Sequence, residues 1–217
     1  MDNLALQARV LQEFFAGEIS GTFYLTGGTA LARYYFQHRK SLDLDLFTNE
    51  QAVDFDFINR SALRLWGRLG LGILNQVSTG GYLQYIVEDE DQTTLKVDIV
   101  KDIPVHFGEL RQEGSIQVDS LENIGSNKVL AVFGRTEAKD FIDLYWILQQ
   151  TSWQFDQLFE MGKQKDLGLS ELYLAYAMQN VASIQHLPQM LKPLDWGEVV
   201  DYFQQLSRDL LMRIRPG

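Results

Sequence analysis

The chain has 217 residues, enough to bury a sizeable core as one large domain or two small ones. Hydrophobic residues make up 46% and charged residues 22%, the balance of a soluble globular protein, and the absence of cysteine excludes disulfides, thiolate metal sites and cysteine nucleophiles. A net charge of −10 argues against broad, sequence-independent binding to nucleic acid, while leaving room for a local basic patch or a nucleotide held through a metal ion.

The spacing of Leu4, Ala8, Leu11 and Phe15 predicts an amphipathic helix over residues 3–16. An apolar strand, Thr22 to Leu25, then runs into Gly27-Gly28, and Ala30, Leu31, Tyr34 and Tyr35 recur at helical spacing over 29–37. Glycine lets backbone approach a ligand closely, and the helix that follows offers free N–H groups, so Gly27, Gly28 and the Thr29 hydroxyl are candidates to hold phosphates. A tight strand-to-helix turn explains the same residues without a ligand.

Leu42-Asp43-Leu44-Asp45-Leu46 alternates as a strand. Its leucines point to the core, and Asp43 and Asp45 share the other face with Cα atoms about 6.6 Å apart, close enough to lean on one hard cation. An isolated pair of this kind also fits an amphipathic strand with a solvated face. Joined to the glycine turn by one short helix, it points to a metal-assisted phosphate site.

Thr48 to Gln51 carries a capping-box pattern, predicting a helix directly after this strand, with Ile58, Ala62, Leu65 and Leu69 as its core stripe. Arg60, Arg64 and Arg68 form a row on another face, read as a solvated face making ion pairs or as a surface for RNA or a triphosphate. Strands follow at 73–77 and 82–87. The acidic run 88–91 reads as a solvated hairpin tip, and the strand beyond it places Leu95, Val97 and Ile99 on one face and Lys96 with Asp98 on the other. His38, His106 and His186 lack metal-ligand spacing, although His38 is close enough to the motif to contact substrate. Residues 101–119 are irregular apart from a short strand at 116–118. From Ser120 the pattern is helical: 128–133, then 137–149 capped by Thr136, with further helices near 154–163, 169–185 and 196–214.

Gly-Gly-Thr-Ala-Leu-Ala at 27–32, followed by His38-Arg39-Lys40-Ser41-Leu42-Asp43-Leu44-Asp45-Leu46-Phe47, resembles the AbiEii/AbiGii toxin family of the minimal-nucleotidyltransferase, DNA-polymerase-β-like superfamily. The resemblance covers nearly the whole chain. It is specific in the two aspartate motifs and in the 128–143 region, where Lys128, Arg135, Asp140 and Asp143 match a downstream motif that completes the nucleotide pocket from the helical side. Lys139 stands where the family usually has arginine; a surface ion-pair cluster is the other account of Lys139, Asp140 and Asp143.

The resemblance implies an α/β (α+β) nucleotidyltransferase-like mixed sheet flanked by helices over 1–119, a helical domain over 120–217, and a pocket between them. It implies that Asp43, Asp45 and Asp98 hold two Mg2+ ions, with Mn2+ as an alternative, and that Asp98 helps take the acceptor's proton. Gly27, Gly28, Thr29 and Ser41 would hold phosphates, and Arg39, Lys128 or Arg135 would neutralise the leaving pyrophosphate. The implied reaction moves a nucleotide from a nucleoside triphosphate to a hydroxyl, with tRNA or another RNA end as acceptor. The implied biological role is that of a toxin paired with an antitoxin protein. A nucleotide-sugar glycosyltransferase using the aspartate pair and a non-catalytic nucleotide-binding regulator are the alternatives. With no apolar run of about 18 residues and no signal pattern, the expected location is cytoplasmic, off the membrane.

Overall fold

The computed structural model describes residues 2–214. The chain divides into two compact units, one built from residues 1–34 and 41–120 and the other from 35–40 and 121–217. The division after Ser120 falls where the sequence turns helical; the short tract 35–40, which joins the second unit, is an addition to that expectation.

The first unit is a mixed sheet with two long helices. Helix α1 (Asn3–Phe15) is capped by Asp2, whose carboxylate accepts from the Ala5 N–H at 2.8 Å, and it buries Leu6, Val10, Leu11 and Phe14. Strand β1 (Tyr24–Thr26) leads into helix α2 (Gly27–Ala30), which widens into a π-helical turn at Leu31–Tyr35. Strand β2 (Asp43–Thr48) follows. Helix α3 (Phe55–Arg68) starts later than the sequence pattern predicts. Thr48 is the last residue of β2, and the cap is Asp54, whose side chain accepts from the N–H groups of Asp56 and Phe57. The capping box at 48–51 is therefore a coincidence of composition.

Strands β3 (Gly72–Thr79), β4 (Tyr82–Glu88), β5 (Thr94–Lys101), β6 (Arg111–Glu113) and β7 (Ile116–Val118) complete the sheet, in the order β3-β4-β5-β2-β1-β7-β6. β2 runs parallel to β5 and antiparallel to β1, and β1 runs parallel to β7. Strand β6 lies in the stretch expected to be irregular.

Alternation along the strands divides the sheet into two faces. Leu44 and Leu46 of β2, Leu83, Tyr85 and Val87 of β4, and Leu95, Val97 and Ile99 of β5 are all buried. Leu42, expected beside them, precedes the strand and is 54% exposed. The acidic turn also differs from a hydrated tip: Asp89 is buried and its carboxylate accepts from the Asp91 and Thr93 N–H groups, fixing the β4–β5 connection.

The second unit is helical: α4 (Leu121–Gly134), α5 (Ala138–Gln150), α6 (Phe155–Lys165), α7 (Glu171–Gln179) with a 3-10 turn at Asn180–Ser183, and α8 (Trp196–Arg213). Helix α4 is twice the length that the apolar spacing suggests, because buried Asn123, Gly125 and Ser126 interrupt the apolar pattern without breaking the helix. Helix α5 is preceded by Glu137 at its N-cap, so Thr136 does not cap it. Within this unit Arg39 bridges Met190, and the Lys40 N–H donates to the Gln189 carbonyl at 2.8 Å.

Candidate active site

In the first unit, sheet register brings three carboxylates together. Asp45 pairs with Asp98 across the parallel β2–β5 ladder, and Asp43 pairs with Lys96. Asp43, Asp45, Lys96 and Asp98 therefore share the face opposite the leucine and valine core, with adjacent strands about 4.8 Å apart. The glycine turn meets the same face at the end of β1, where Thr26 pairs with Asp45.

Gly27 has φ +69°, and a β-carbon there would collide with Asp45 Oδ2 and lie 3.0 Å from its Cγ. Both facts require glycine: the left-handed backbone disfavours a side chain, and the space belongs to a carboxylate. The Thr29 hydroxyl donates to the Asp43 carbonyl at 2.5 Å, so its proton ties α2 to β2 and is not available to a phosphate in this arrangement. Ser41 precedes β2, and its carbonyl accepts from Gln7 Nε2 at 2.8 Å.

Asp98 is 8% exposed, and protein donors meet both of its oxygens. Oδ2 accepts from Lys96 Nζ at 2.7 Å; Oδ1 accepts from Tyr82 Oη at 3.1 Å and Gln84 Nε2 at 3.0 Å. Burial alone would lower the Lys96 pKa, but its bond to Asp98 and the charges of Asp98, Asp43 and Asp45 carry it above its ordinary value. Burial, then the Asp98 charge, raises the Tyr82 pKa, so its phenol keeps its proton and donates.

Among the described residues no three His, Cys, Asp or Glu side chains converge tightly enough to cage a metal ion as they stand. The donor set still suits a hard divalent ion. Asp43 and Asp45 offer carboxylate oxygens from one strand face, and the Asp45 carboxylate fills the hollow left by Gly27.

The remaining predicted residues belong to the helical unit, where they bind one another. Asp143 Oδ1 accepts from His38 Nε2 at 2.8 Å and Arg39 Nε at 2.7 Å; Oδ2 accepts from Arg39 Nη2 at 2.6 Å and pairs with Lys128 Nζ at 2.8 Å. Asp140 pairs with Lys128 Nζ at 2.8 Å and with Arg135 Nε at 2.6 Å. Asp140, Asp143 and His38 are fully buried, Arg39 and Lys128 nearly so. This corrects the surface-cluster account of Asp140 and Asp143; Lys139 pairs with Glu137 at 3.1 Å. Desolvation would raise the Asp143 pKa, but Lys128 and Arg39 hold it well below the usual carboxylate range. Lys128 is raised because the charges of Asp143 and Asp140 outweigh its burial.

Arg64 of the arginine row pairs with Glu18, as expected for a face making ion pairs. Reading by sequence missed Tyr82 and Gln84, although pairing β4 with β5 about the acidic turn sets Gln84 opposite Asp98. It also missed Asp119, fully buried at the end of β7, which accepts from Thr26 Oγ1 at 2.5 Å and meets His106 Nε2 at 2.9 Å.

The family model described as "Nucleotidyl transferase AbiEii toxin, Type IV TA system" matches residues 9–193. An uncharacterised protein of Aquifex aeolicus (strain VF5) is 24% identical, over 94% of this chain and 96% of its own. The crystal structure of JHP933 from Helicobacter pylori superposes with a TM-score of 0.59 at 17% identity, covering 97% of this chain and 91% of the other. MenT4, the nucleotidyltransferase toxin Rv2826c from Mycobacterium tuberculosis H37Rv, also gives a TM-score of 0.59, at 14% identity over 95% and 82% of the two chains. At these identities the superpositions establish a common fold. No helix among the described residues is long and apolar enough to cross a membrane.

Proposed function

Because the chain belongs to the AbiEii nucleotidyltransferase toxin family, we propose that it moves a nucleoside monophosphate from a nucleoside triphosphate to a hydroxyl acceptor. The reacting centre is the carboxylate face of β2 and β5. The observation that supports this reading is the register that sets Asp45 beside Asp98, with Asp43 two residues along the strand and the Gly27 turn packed on Asp45.

Asp43 and Asp45 are the residues that would hold Mg2+ or Mn2+, and such an ion supplies charge neutralisation at the triphosphate and a more acidic attacking hydroxyl. The turn at Gly27 and Gly28 is the backbone proposed to approach the phosphates, beside the Asp45 carboxylate that fills the Gly27 hollow. Thr29 keeps β2 in register with that turn through the Asp43 carbonyl. Asp98, oriented by Tyr82, Gln84 and Lys96, is the carboxylate proposed to receive the acceptor's proton. Arg39, Lys128 and Arg135 are bound to Asp140 and Asp143, so their first role is to organise the helical unit. An RNA end, tRNA included, is the proposed acceptor, and an antitoxin protein the proposed partner.

The test is transfer of α-label from each nucleoside triphosphate to total cellular RNA, with magnesium, by the native chain and by Asp45→Ala. Labelled RNA that disappears in the variant is the expected result, and the labelled band names the acceptor. Equal labelling by both proteins would rule out the carboxylate face as the centre.

A further inference from the structure

We infer that the Lys96 ammonium stands where a second divalent cation would sit beside Asp98, so that this centre takes one divalent ion, at Asp43 and Asp45. The inference rests on the reading of these three aspartates as the nucleotidyltransferase centre, and it narrows that reading.

A carboxylate that bridges two ions must present an oxygen lone pair to each. Three protein donors take three of the roughly four lone-pair positions of Asp98: Lys96 on Oδ2 at 2.7 Å, and Tyr82 at 3.1 Å with Gln84 at 3.0 Å on Oδ1, so the position that is left can receive a proton but cannot bridge two ions. The two donors on Oδ1 also bond each other, Gln84 Nε2 donating to Tyr82 Oη at 2.6 Å, so that side of the carboxylate is closed by a connected pair. Tyr82 Oη donates to Asp98 Oδ1 where a metal would need a ligand.

Lys96 is fixed on this face by register. It lies two residues before Asp98 on β5 and opposite Asp43 on β2, and its ammonium donates to Asp98 Oδ2 at 2.7 Å. A tethered ammonium differs from a second ion in kind. It does not have to be captured from solution, and it cannot activate a bound water as an inner-sphere metal does.

The experiment counts Mn2+ ions bound per chain, by equilibrium dialysis and by the loss of the free-ion electron paramagnetic resonance signal, on the full-length protein with Mn2+ alone. The native chain is expected to bind one ion at this centre, Asp45→Asn to lose it, and Lys96→Arg, which keeps the charge, to bind one. Lys96→Met is expected to bind two, and Lys96→Met with Asp98→Asn to return to one. Thermal melts confirm that each variant is folded, with Lys96→Gln as the substitute if Lys96→Met is not. Two ions on the native chain, or one on a folded Lys96→Met or Lys96→Gln, would overturn the inference while leaving the carboxylate centre standing. No ion on the native chain, or one that survives Asp45→Asn, would overturn the carboxylate centre and this inference with it.

Discussion

Asp45 Oδ2 occupies the space that a β-carbon on Gly27 would need. The glycine at the end of β1 and the aspartate on β2 thus form a matched pair, a missing side chain on one strand end and a carboxylate filling the gap from the next.

Gly27→Ala therefore strikes the site twice. The left-handed backbone costs about 1–2 kcal/mol with a side chain present, and the new methyl displaces the Asp45 carboxylate. A misplacement on the order of 1 Å costs roughly a hundredfold in rate. The expected outcome is a folded protein whose melting temperature falls by only a few degrees and whose nucleotide transfer falls by about that factor. Parallel melting and transfer assays separate the two effects.

Tyr82→Phe removes one of two donors on Asp98 Oδ1 and leaves Gln84 in place. The loss of one such bond is worth about 1 kcal/mol, so transfer is expected to fall several-fold, far less than for Asp45→Ala. Tyr82→Phe with Gln84→Leu leaves that oxygen without either donor and is expected to lose more than the product of the single changes. A double-variant cycle on transfer rate measures the coupling.

Asp143→Asn leaves Arg39, Lys128 and His38 buried around a neutral amide. Breaking a buried charge network from one side costs about 3–5 kcal/mol, and for a chain of this size each kilocalorie moves the melting temperature by roughly 2–4 °C. Differential scanning calorimetry is expected to show a drop of roughly 6–20 °C, larger than for Asp143→Asn's exposed counterpart Asp156→Asn, whose partner Arg213 is half exposed.

Asp143 and Asp140 both titrate below the ordinary carboxylate range in the folded chain, despite the opposing effect of burial. A depressed folded value means that the stabilisation is fully present above the unfolded value, about 3.9. It is lost as pH falls from there through the folded value. The urea midpoint is expected to change little on this account between about pH 7 and pH 5, then to fall with further acidification. Asp143→Asn, having already lost the larger of the two contributions, is expected to show a shallower decline.

The carboxylate-bearing faces of β2 and β5 were legible because strands encode faces in alternation. Spacing puts Asp43 and Asp45 on one face of β2 and Lys96 and Asp98 on one face of β5, and the parallel register then sets Asp45 beside Asp98. What alternation does not encode is cross-strand neighbourhood beyond a hairpin: Asp119 reaches Thr26 through a parallel pairing of strands far apart in sequence. Buried charge was hidden for a related reason. Lys128, Asp140 and Asp143 have the composition of a surface patch, and only long-range packing with Arg39 and His38 puts them inside. Helix starts failed where a capping pattern at Thr48 competed with strand continuation, since the ladder to Lys101 holds Thr48 extended.

The tract 35–40 carries a consequence for dissecting the chain. It is encoded between two segments of the sheet unit, yet it brings Arg39 and His38 to the fully buried carboxylate of Asp143. A fragment beginning at Leu121 would keep the buried anion and lose two of its partners, while a fragment ending at Ser120 would carry them with nothing to bind. No single cut in this gene yields two complete pieces; recombination, truncation or split-protein design must move the helical half together with six residues that lie more than eighty positions upstream.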